Sequence, residues 1–400
     1  MTPSVVVYST WSDLPPVYRR AFDVPAACSY FLSLRWFEDL WNTCGRPGIE
    51  LRLYGVENDG AEPLGLLVAR TPAEAGGSIL EGRRPGPRTL SGLTNFETRI
   101  FAPLLSPAVS DPAPVLRALS RAIAGELPQW TLVDLNMLDP GTPEFREIGE
   151  ALRQAGLTVR AYFQCSNWYE ETEGLSSEEY LRSRPKGVRR EFPRIRRKLQ
   201  RTRDVRFELI TEPADVDRGL ALYGRVHEAS WKQSGASPDF LPTLLRGTAA
   251  AGALRLGILH VDGAPVAGLI AFVTAGAASL YRTAYDPGFR SFSVGSLVFL
   301  YVIEHLLDVD RVRELDFGRY DYPYKSLWVS KRREYWGIIA FNTRTVPGML
   351  QLARHELGRG AQAVRRLLKP VLRPPLMALQ RALAKRRGGP PPPEPRSDDA

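Results

Sequence analysis

Residues 281–328 read YRTAYDPGFRSFSVGSLVFLYVIEHLLDVDRVRELDFGRYDYPYKSLW. The order is a strand, a loop rich in glycine and serine, a helix, a second strand and a polar aromatic turn. The loop, Arg290-Ser291-Phe292-Ser293-Val294-Gly295-Ser296, runs straight into an apolar helix over Leu297 to Leu307. Backbone amides at the start of a helix bind anions, and small residues there let a ligand approach the main chain. An R-x-x-S-x-G-S loop so placed fits a pyrophosphate. It equally fits an ordinary helix start capped by Ser293 or Ser296. Asp316-Phe317-Gly318 closes the following strand, and Tyr324-Lys325 and Trp328 come just after it.

Outward from this stretch the chain is mixed α/β. Leu254 to His260 and Val266 to Val273 read as strands about Asp262-Gly263, and Pro213 to Ser230 reads as a helix. Ser176 opens a capping pattern. Val188, Phe192, Ile195 and Leu199 then step along one helical face, with Pro193 as a possible start of the helix proper. The first part of the chain runs in the same order. Phe31, Leu34, Phe37 and Leu40 have helical spacing, and Glu50 to Val56 pairs with Pro63 to Arg70 about Asn58-Asp59-Gly60. Residues 72–98 read as loop. Leu116 to Leu127 is a helix, Leu132 to Leu135 a short strand, and Glu144 to Ala155 a helix ended by Gly156. Both parts therefore run helix, strand hairpin, helix, strand. This order predicts a duplication, with domains at 1–165 and 170–345, a basic helical extension at 346–389 and a disordered tail at 390–400.

Four hundred residues with 44% hydrophobic content suit two soluble globular domains. Three cysteines without a CxxC pair and only four histidines make a dedicated metal site unexpected and point to a reducing compartment. The start MTPSVVVYSTWSD lacks the pattern of a signal peptide, and the run Val266 to Leu280 is too short to span a bilayer. The expected location is therefore cytoplasmic. The net charge of +9 is local: residues 182–203 hold eleven Lys/Arg against one Glu, and residues 349–400 eleven against four acids. The rest of the chain is net acidic. Two basic segments on an acidic body argue for localised anionic partners.

Taken together, Ser230-Trp231-Lys232, the strand ending in DGAPVAG (residues 262–268), Tyr285-Asp286, Ser293 to Leu297, Asp316-Phe317-Gly318 and Tyr324-Lys325 resemble the GNAT N-acetyltransferase superfamily. The likeness is to its CelD-type, BioF2-like branch, which is itself similar to the two-domain Fem-type aminoacyltransferases. It covers about residues 170–345. The resemblance implies tandem GNAT-like domains with mixed central sheets flanked by helices. It implies acetyl-CoA or another acyl-CoA as donor, held by Arg290, Ser293, Val294, Gly295, Ser296 and Leu297, with no metal. Ser293 stands where the motif [QR]-x-x-G-x-[GA] has its first glycine. The implied acceptor is an amine or hydroxyl of a sugar or cell-envelope precursor.

Acyl transfer needs a proton acceptor and a donor to the thioester oxygen. Asp316 and Glu228 are the candidate bases and Tyr324 a candidate acid. Trp231, Lys232, Arg282, Tyr285 and Lys325 are candidate substrate contacts. Each has a plainer reading as well. Asp316 fits a carboxylate capping its own turn, Glu228 a solvated helix residue, and Trp328 a core aromatic. Lys325 and Arg282 can pair with Asp286 or Asp316. The arginine-rich helix suits an anionic membrane surface or, if the donor is aminoacyl-tRNA, the nucleic acid. A solvated basic helix and a non-catalytic scaffold are the alternatives.

Overall fold

The structure, a computed structural model, describes residues 3–22, 29–45, 47–71, 88–230 and 237–360. In chain order the first half comprises β1 (Ser4–Tyr8), α1 (Pro16–Phe22), α2 (Leu34–Cys44), β2 (Leu51–Glu57), β3 (Pro63–Arg70), β4 (Thr89–Gly92), β5 (Leu104–Leu105), α3 (Ala113–Gly125), β6 (Leu132–Leu138), α4 (Pro143–Gln154) and β7 (Thr158–Glu171). The second comprises α5 (Ser177–Ser183), α6 (Phe192–Thr202), β8 (Val205–Ile210), α7 (Val216–Ala229), α8 (Phe240–Ala250), β9 (Leu254–Val261), β10 (Ala264–Thr274), β11 (Ala277–Tyr285), α9 (Val294–Asp308), β12 (Glu314–Arg319), α10 (Lys325–Trp328) and β13 (Lys331–Phe341).

All thirteen strands join one mixed sheet in the order β1-β2-β3-β4-β6-β13-β7-β12-β11-β10-β9-β8, with β5 added beside β3. Read from its two ends this path is the same path twice. The last strand of each half has changed sides: β7 pairs with β12 of the second half, and β13 stands next to β6 of the first. Residues 166–169, where one half gives way to the other in sequence, lie within β7.

The duplication extends to register. β4 and β6 pair in parallel over three residues, ending at Ser91 opposite Asp134. β11 and β12 do the same, ending at Ser279 opposite Asp316. Beyond those pairs both sets of strands diverge. A serine facing an aspartate at each fork is a residue-level repeat that the linear sequence hides, because only pairing brings the two types together.

Residues up to Ala340 form one compact unit. One apolar core of this unit takes in Trp36 and Phe37 of α2, Phe101, and Tyr223 and Phe272 from the second half. The other surrounds α9, where Leu297, Val298, Leu300, Val302 and Ile303 are all fully buried. A helix buried along most of its length is a core helix, and at about 1.5–3 kcal/mol per buried large side chain its position is firmly set. Its N-terminus is thereby fixed at the end of β11.

The arginine-rich segment folds as its spacing predicts. Ser176 makes a full capping box with Glu179. A π turn at Gly187–Glu191 precedes α6, which has Pro193 in its first turn. Val188 and Leu199 are fully buried, and Phe192 stacks on Trp328 at 5.6 Å. Residues from Phe341 on form a second unit. Residues 346–360 of it are helical, and the expected basic helices beyond residue 360 and the tail lie outside the described residues. No helix among the described residues is long and apolar enough to cross a membrane.

Candidate active site

The loop after β11 is a 3-10 helix over Pro287–Phe292, started by Asp286, whose side chain accepts from the Gly288 amide at 2.8 Å. Ser293 follows in a left-handed conformation, with φ 51° and ψ 38°. Its side chain makes no capping bond, so the plain serine-cap reading does not hold for Ser293. Its carbonyl instead accepts from the amides of Ser296 at 2.8 Å and Leu297 at 3.0 Å. That leaves the amides of Val294 and Gly295 as the first-turn donors, since helix geometry offers them no intrahelical partner. Gly295 packs against the Tyr285 ring, where a Cβ would meet Cδ1 at 3.0 Å.

The left-handed turn shows what the glycine of the expected loop motif would supply at this position. A positive φ is the conformation glycine supplies cheaply, and a non-glycine residue there costs about 1–2 kcal/mol. Ser293→Gly is therefore expected to stabilise the protein by about 0.5–1 kcal/mol, after allowing for the added freedom of the unfolded chain. Urea unfolding measures this; a destabilised variant would show that the serine side chain contributes something the backbone geometry does not reveal.

Beyond the Ser279–Asp316 pair the fork between β11 and β12 opens. A bulge sets Tyr281 of β11 between Leu280, opposite Ala271, and Arg282, opposite Ile270. Gly318 of β12 has φ +73°. Into this fork comes a loop from the first half, residues 93–101. The Arg99 Nη2 donates to the Tyr281 carbonyl at 2.6 Å, and its guanidinium lies against Gly318 so closely that a Cβ there would sit 1.6 Å from Nη1. Glu97 is buried and accepts from the Tyr281 hydroxyl at 2.5 Å and from Arg282. The Phe96 carbonyl accepts from Arg319. None of these three first-half residues carries a local motif. Gly318 is the one sequence signal, a glycine kept free of a side chain by a neighbour 219 residues away in the chain.

Among the described residues the first half has no such opening of its own. Its fork is filled by Phe101, whose amide donates to the Met137 carbonyl at 2.8 Å and whose ring lies 2.8 Å from the position of a Gly92 Cβ. The connection from β4 to α3 is also long and folds back to place β5 on β3. The first half thus closes its fork and lends a loop to the other.

The sequence candidates fall as follows. Asp316 is buried, and both its oxygens are taken: Oδ1 accepts from the Gly318 amide at 2.6 Å and Oδ2 from Arg333 at 3.1 Å. Lys325 is buried and donates to the carbonyls of Gly318 at 2.8 Å and Arg319 at 2.5 Å, rather than to a carboxylate. Burial, with Arg99 nearby, lowers its ammonium to about 7. Arg282 pairs with Glu97, not with Asp286 or Asp316. Tyr285 is half-buried beside Gly295. Tyr324 is 41% exposed in a run of rings with Tyr320 and Tyr322. Arg290 is exposed at the loop. Glu228 is exposed on the last turn of α7, away from the buried network. Trp231 and Lys232 lie outside the described residues. Trp328 is a core residue, 1% exposed. No cluster of metal-ligating side chains occurs among the described residues.

A cavity of about 830 Å³ opens between the halves, with Phe31, Arg99, Phe101, Leu138, Asp316 and Tyr335 among its walls. Arg99 and Asp316 belong both to this cavity and to the fork, so the two meet at the crotch.

Residues 186–326 match the family model described as an acetyltransferase (GNAT) domain. The chain carries a GNAT acetyltransferase domain. It is an acyltransferase with two GNAT-like halves. By fold, the chain is similar to the crystal structure of FemX, with a TM-score of 0.51 and 11% identity over 78% of this chain and 92% of that one. It is also similar to a conserved protein of unknown function from Bacteroides thetaiotaomicron, with a TM-score of 0.50 and 12% identity over 84% of this chain and all of that one (100%). No curated protein matches the chain by sequence. The GNAT domain match stops at residue 326, so β13, which completes the sheet beside β6, falls outside it.

Proposed function

We propose that the GNAT domain takes an acyl-CoA, most simply acetyl-CoA, and passes the acyl group to an amine or hydroxyl presented from the cavity between the halves. The observation that carries this reading is the divergence of β11 and β12 beyond Ser279 and Asp316, with the Val294 and Gly295 amides at its mouth. The pyrophosphate is assigned to those amides and Arg290, and the pantetheine arm to the gap along Thr283 to Tyr285. Asp316 holds the crotch in shape through Gly318 and Arg333. The resemblance to CelD-type proteins supports a sugar or cell-envelope precursor as acceptor, and a cytoplasmic setting.

Calorimetric titration with acetyl-CoA tests the donor. Gly295→Glu drives a carboxylate into the Tyr285 contact and toward the phosphates. It should weaken binding by roughly 100-fold or more, about 2.7 kcal/mol at 1.4 kcal/mol per tenfold. Failure of the unaltered protein to bind at millimolar acetyl-CoA would end this reading.

The second reading, an aminoacyl-tRNA donor, draws support from exposed cations at Lys186, Arg189, Arg190, Arg194, Arg197, Lys198 and Arg201. Arg196 does not belong to that ridge, being paired with Glu304 at 2.7 Å. The same ridge suits an anionic membrane surface. So do the exposed Val346, Met349, Leu350 and Leu357 of the C-terminal helical residues. Salt-sensitive tRNA binding, lost on changing Arg194 and Arg197 to Glu, favours the tRNA donor.

A further inference from the structure

The crotch of the fork gathers basic side chains that no carboxylate pairs with. Arg99, Arg319 and Lys325 converge on it from three elements, and among the described residues none of the three has a carboxylate within ion-pair distance. Their hydrogen bonds go to backbone carbonyls and the Met137 sulfur, and the rings of Tyr281, Phe96, Tyr320 and Tyr322 lie against them. The nearby acids are committed elsewhere: Glu97 to Arg282 and Tyr281, Asp316 to Arg333, and Asp321 to Arg332, Ser166 and Trp168. Burying cations without counter-charge is costly. A site that keeps such an arrangement is set up for negative charge that arrives or develops there.

Of the three, Arg99 is the one in the path of a ligand. Lys325 and Arg319 are 2% and 8% exposed. Arg99 lines the cavity and caps the fork from within, taking the Tyr281 carbonyl just beyond the last paired residue of β11. One of its donors is used in that bond, and the guanidinium has five. A thioester entering from the Gly295 end stops against it.

We infer that Arg99, supplied by the first half, is the hydrogen-bond donor that receives the thioester oxygen during transfer. This rests on the acyl-CoA reading above. The acceptor nitrogen or oxygen bonds to the acyl carbon, and the carbonyl electron pair moves onto the oxygen facing Arg99. Collapse of the tetrahedral intermediate breaks the carbon–sulfur bond, the electron pair leaving with sulfur. The acceptor's proton ends on the thiolate, giving free CoA thiol. Arg99 exchanges no proton, and its charge is constant throughout. The first half then has a defined role: having filled its own fork with Phe101, it provides the oxyanion donor for the other.

Isotope-edited infrared spectroscopy of bound acetyl-CoA, labelled at the thioester carbonyl, tests this without knowledge of the acceptor. With the unaltered protein the carbonyl band should move to lower frequency than in free acetyl-CoA. Arg99→Met should abolish that shift while calorimetric affinity changes less than threefold, because the pyrophosphate contacts remain. Gly318→Ala, which keeps Arg99 but fills the space its Nη1 occupies, should abolish it too. A full shift retained in either folded variant, or no shift in the unaltered protein with acetyl-CoA bound, overturns the assignment. Absence of acetyl-CoA binding by the unaltered protein overturns the donor reading, and this assignment with it.

Discussion

Replacing Glu97 by alanine is expected to cost about 3–5 kcal/mol of folding stability, the range for removing one partner of a buried ion pair. Glu97 is 7% exposed and holds two groups of the second half at once, Arg282 and the Tyr281 hydroxyl. Without it the Arg282 guanidinium is left buried beside a phenol that cannot balance it. Tyr281 is itself pushed well above its ordinary value, by burial first and then by the Glu97 charge. Glu97→Gln keeps the shape and one acceptor, and should lose about half as much. Exchanging both partners, Glu97→Leu with Arg282→Met, should recover most of the loss, since an apolar replacement leaves no orphaned charge. Urea unfolding of the three variants decides the matter. A loss below about 1 kcal/mol for Glu97→Ala would mean that Arg282 swings out to water. Because Glu97 also fixes the Tyr281 bulge that Arg99 caps, the alanine variant should bind acetyl-CoA with a weakened carbonyl shift.

Stability should also rise with pH in a window set by Lys325. Burial, then the positive charge of Arg99, lowers its ammonium to about 7 from an ordinary 10.5; Asp316 and Asp321 oppose this, and Arg319 adds to it. Between those values the unfolded chain holds a proton that the folded protein has released. Unfolding therefore takes up a proton, and stability increases as pH rises from 7. Below 7 the full cost of the buried ammonium is present. At about 1.4 kcal/mol per unit of pKa the swing amounts to several kcal/mol. The measurement is the difference in unfolding free energy between the unaltered protein and Lys325→Met at pH 7, 8, 9 and 9.5. That range stays below the buried tyrosines Tyr18, Tyr180, Tyr223 and Tyr281, whose hydroxyls are raised above the ordinary 10. The difference should move steadily in favour of the unaltered protein. A flat difference would show that Lys325 stays charged, held by the carbonyls of Gly318 and Arg319.

Much of the proposed donor side was legible because it is local. Arg290 to Leu297 lies between one strand and one helix, and the apolar run of α9 announces a core helix whose start must face the end of β11. The face made by Val188, Phe192, Ile195 and Leu199 was readable for the same reason: a spacing of three and four residues survives whatever the rest of the chain does. β7 was not legible. Its fourteen residues mix buried and exposed positions irregularly because it stands between strands from the two halves, so no simple alternation marks it. β4, short and set in a glycine- and proline-rich region, was masked by the loop around it.

The acceptor side was hidden for a different reason. Glu97 and Arg99 sit in a loop with no motif, and their partners Tyr281 and Arg282 lie more than 180 residues on. Asp316 is a candidate base from its place at a strand end; that its two oxygens also brace Gly318 and Arg333 is visible only in the structure. By itself the sequence determined the order of strand, loop, helix and strand and the doubling of the plan, because each follows from local backbone preference and periodicity. The tertiary structure alone decided that the two halves exchange their last strands, that the first fork is closed by Phe101, and that the second receives Arg99. Those are matters of pairing between distant segments, where the energy lies in matching a buried charge or an open strand edge, and no local pattern records the match.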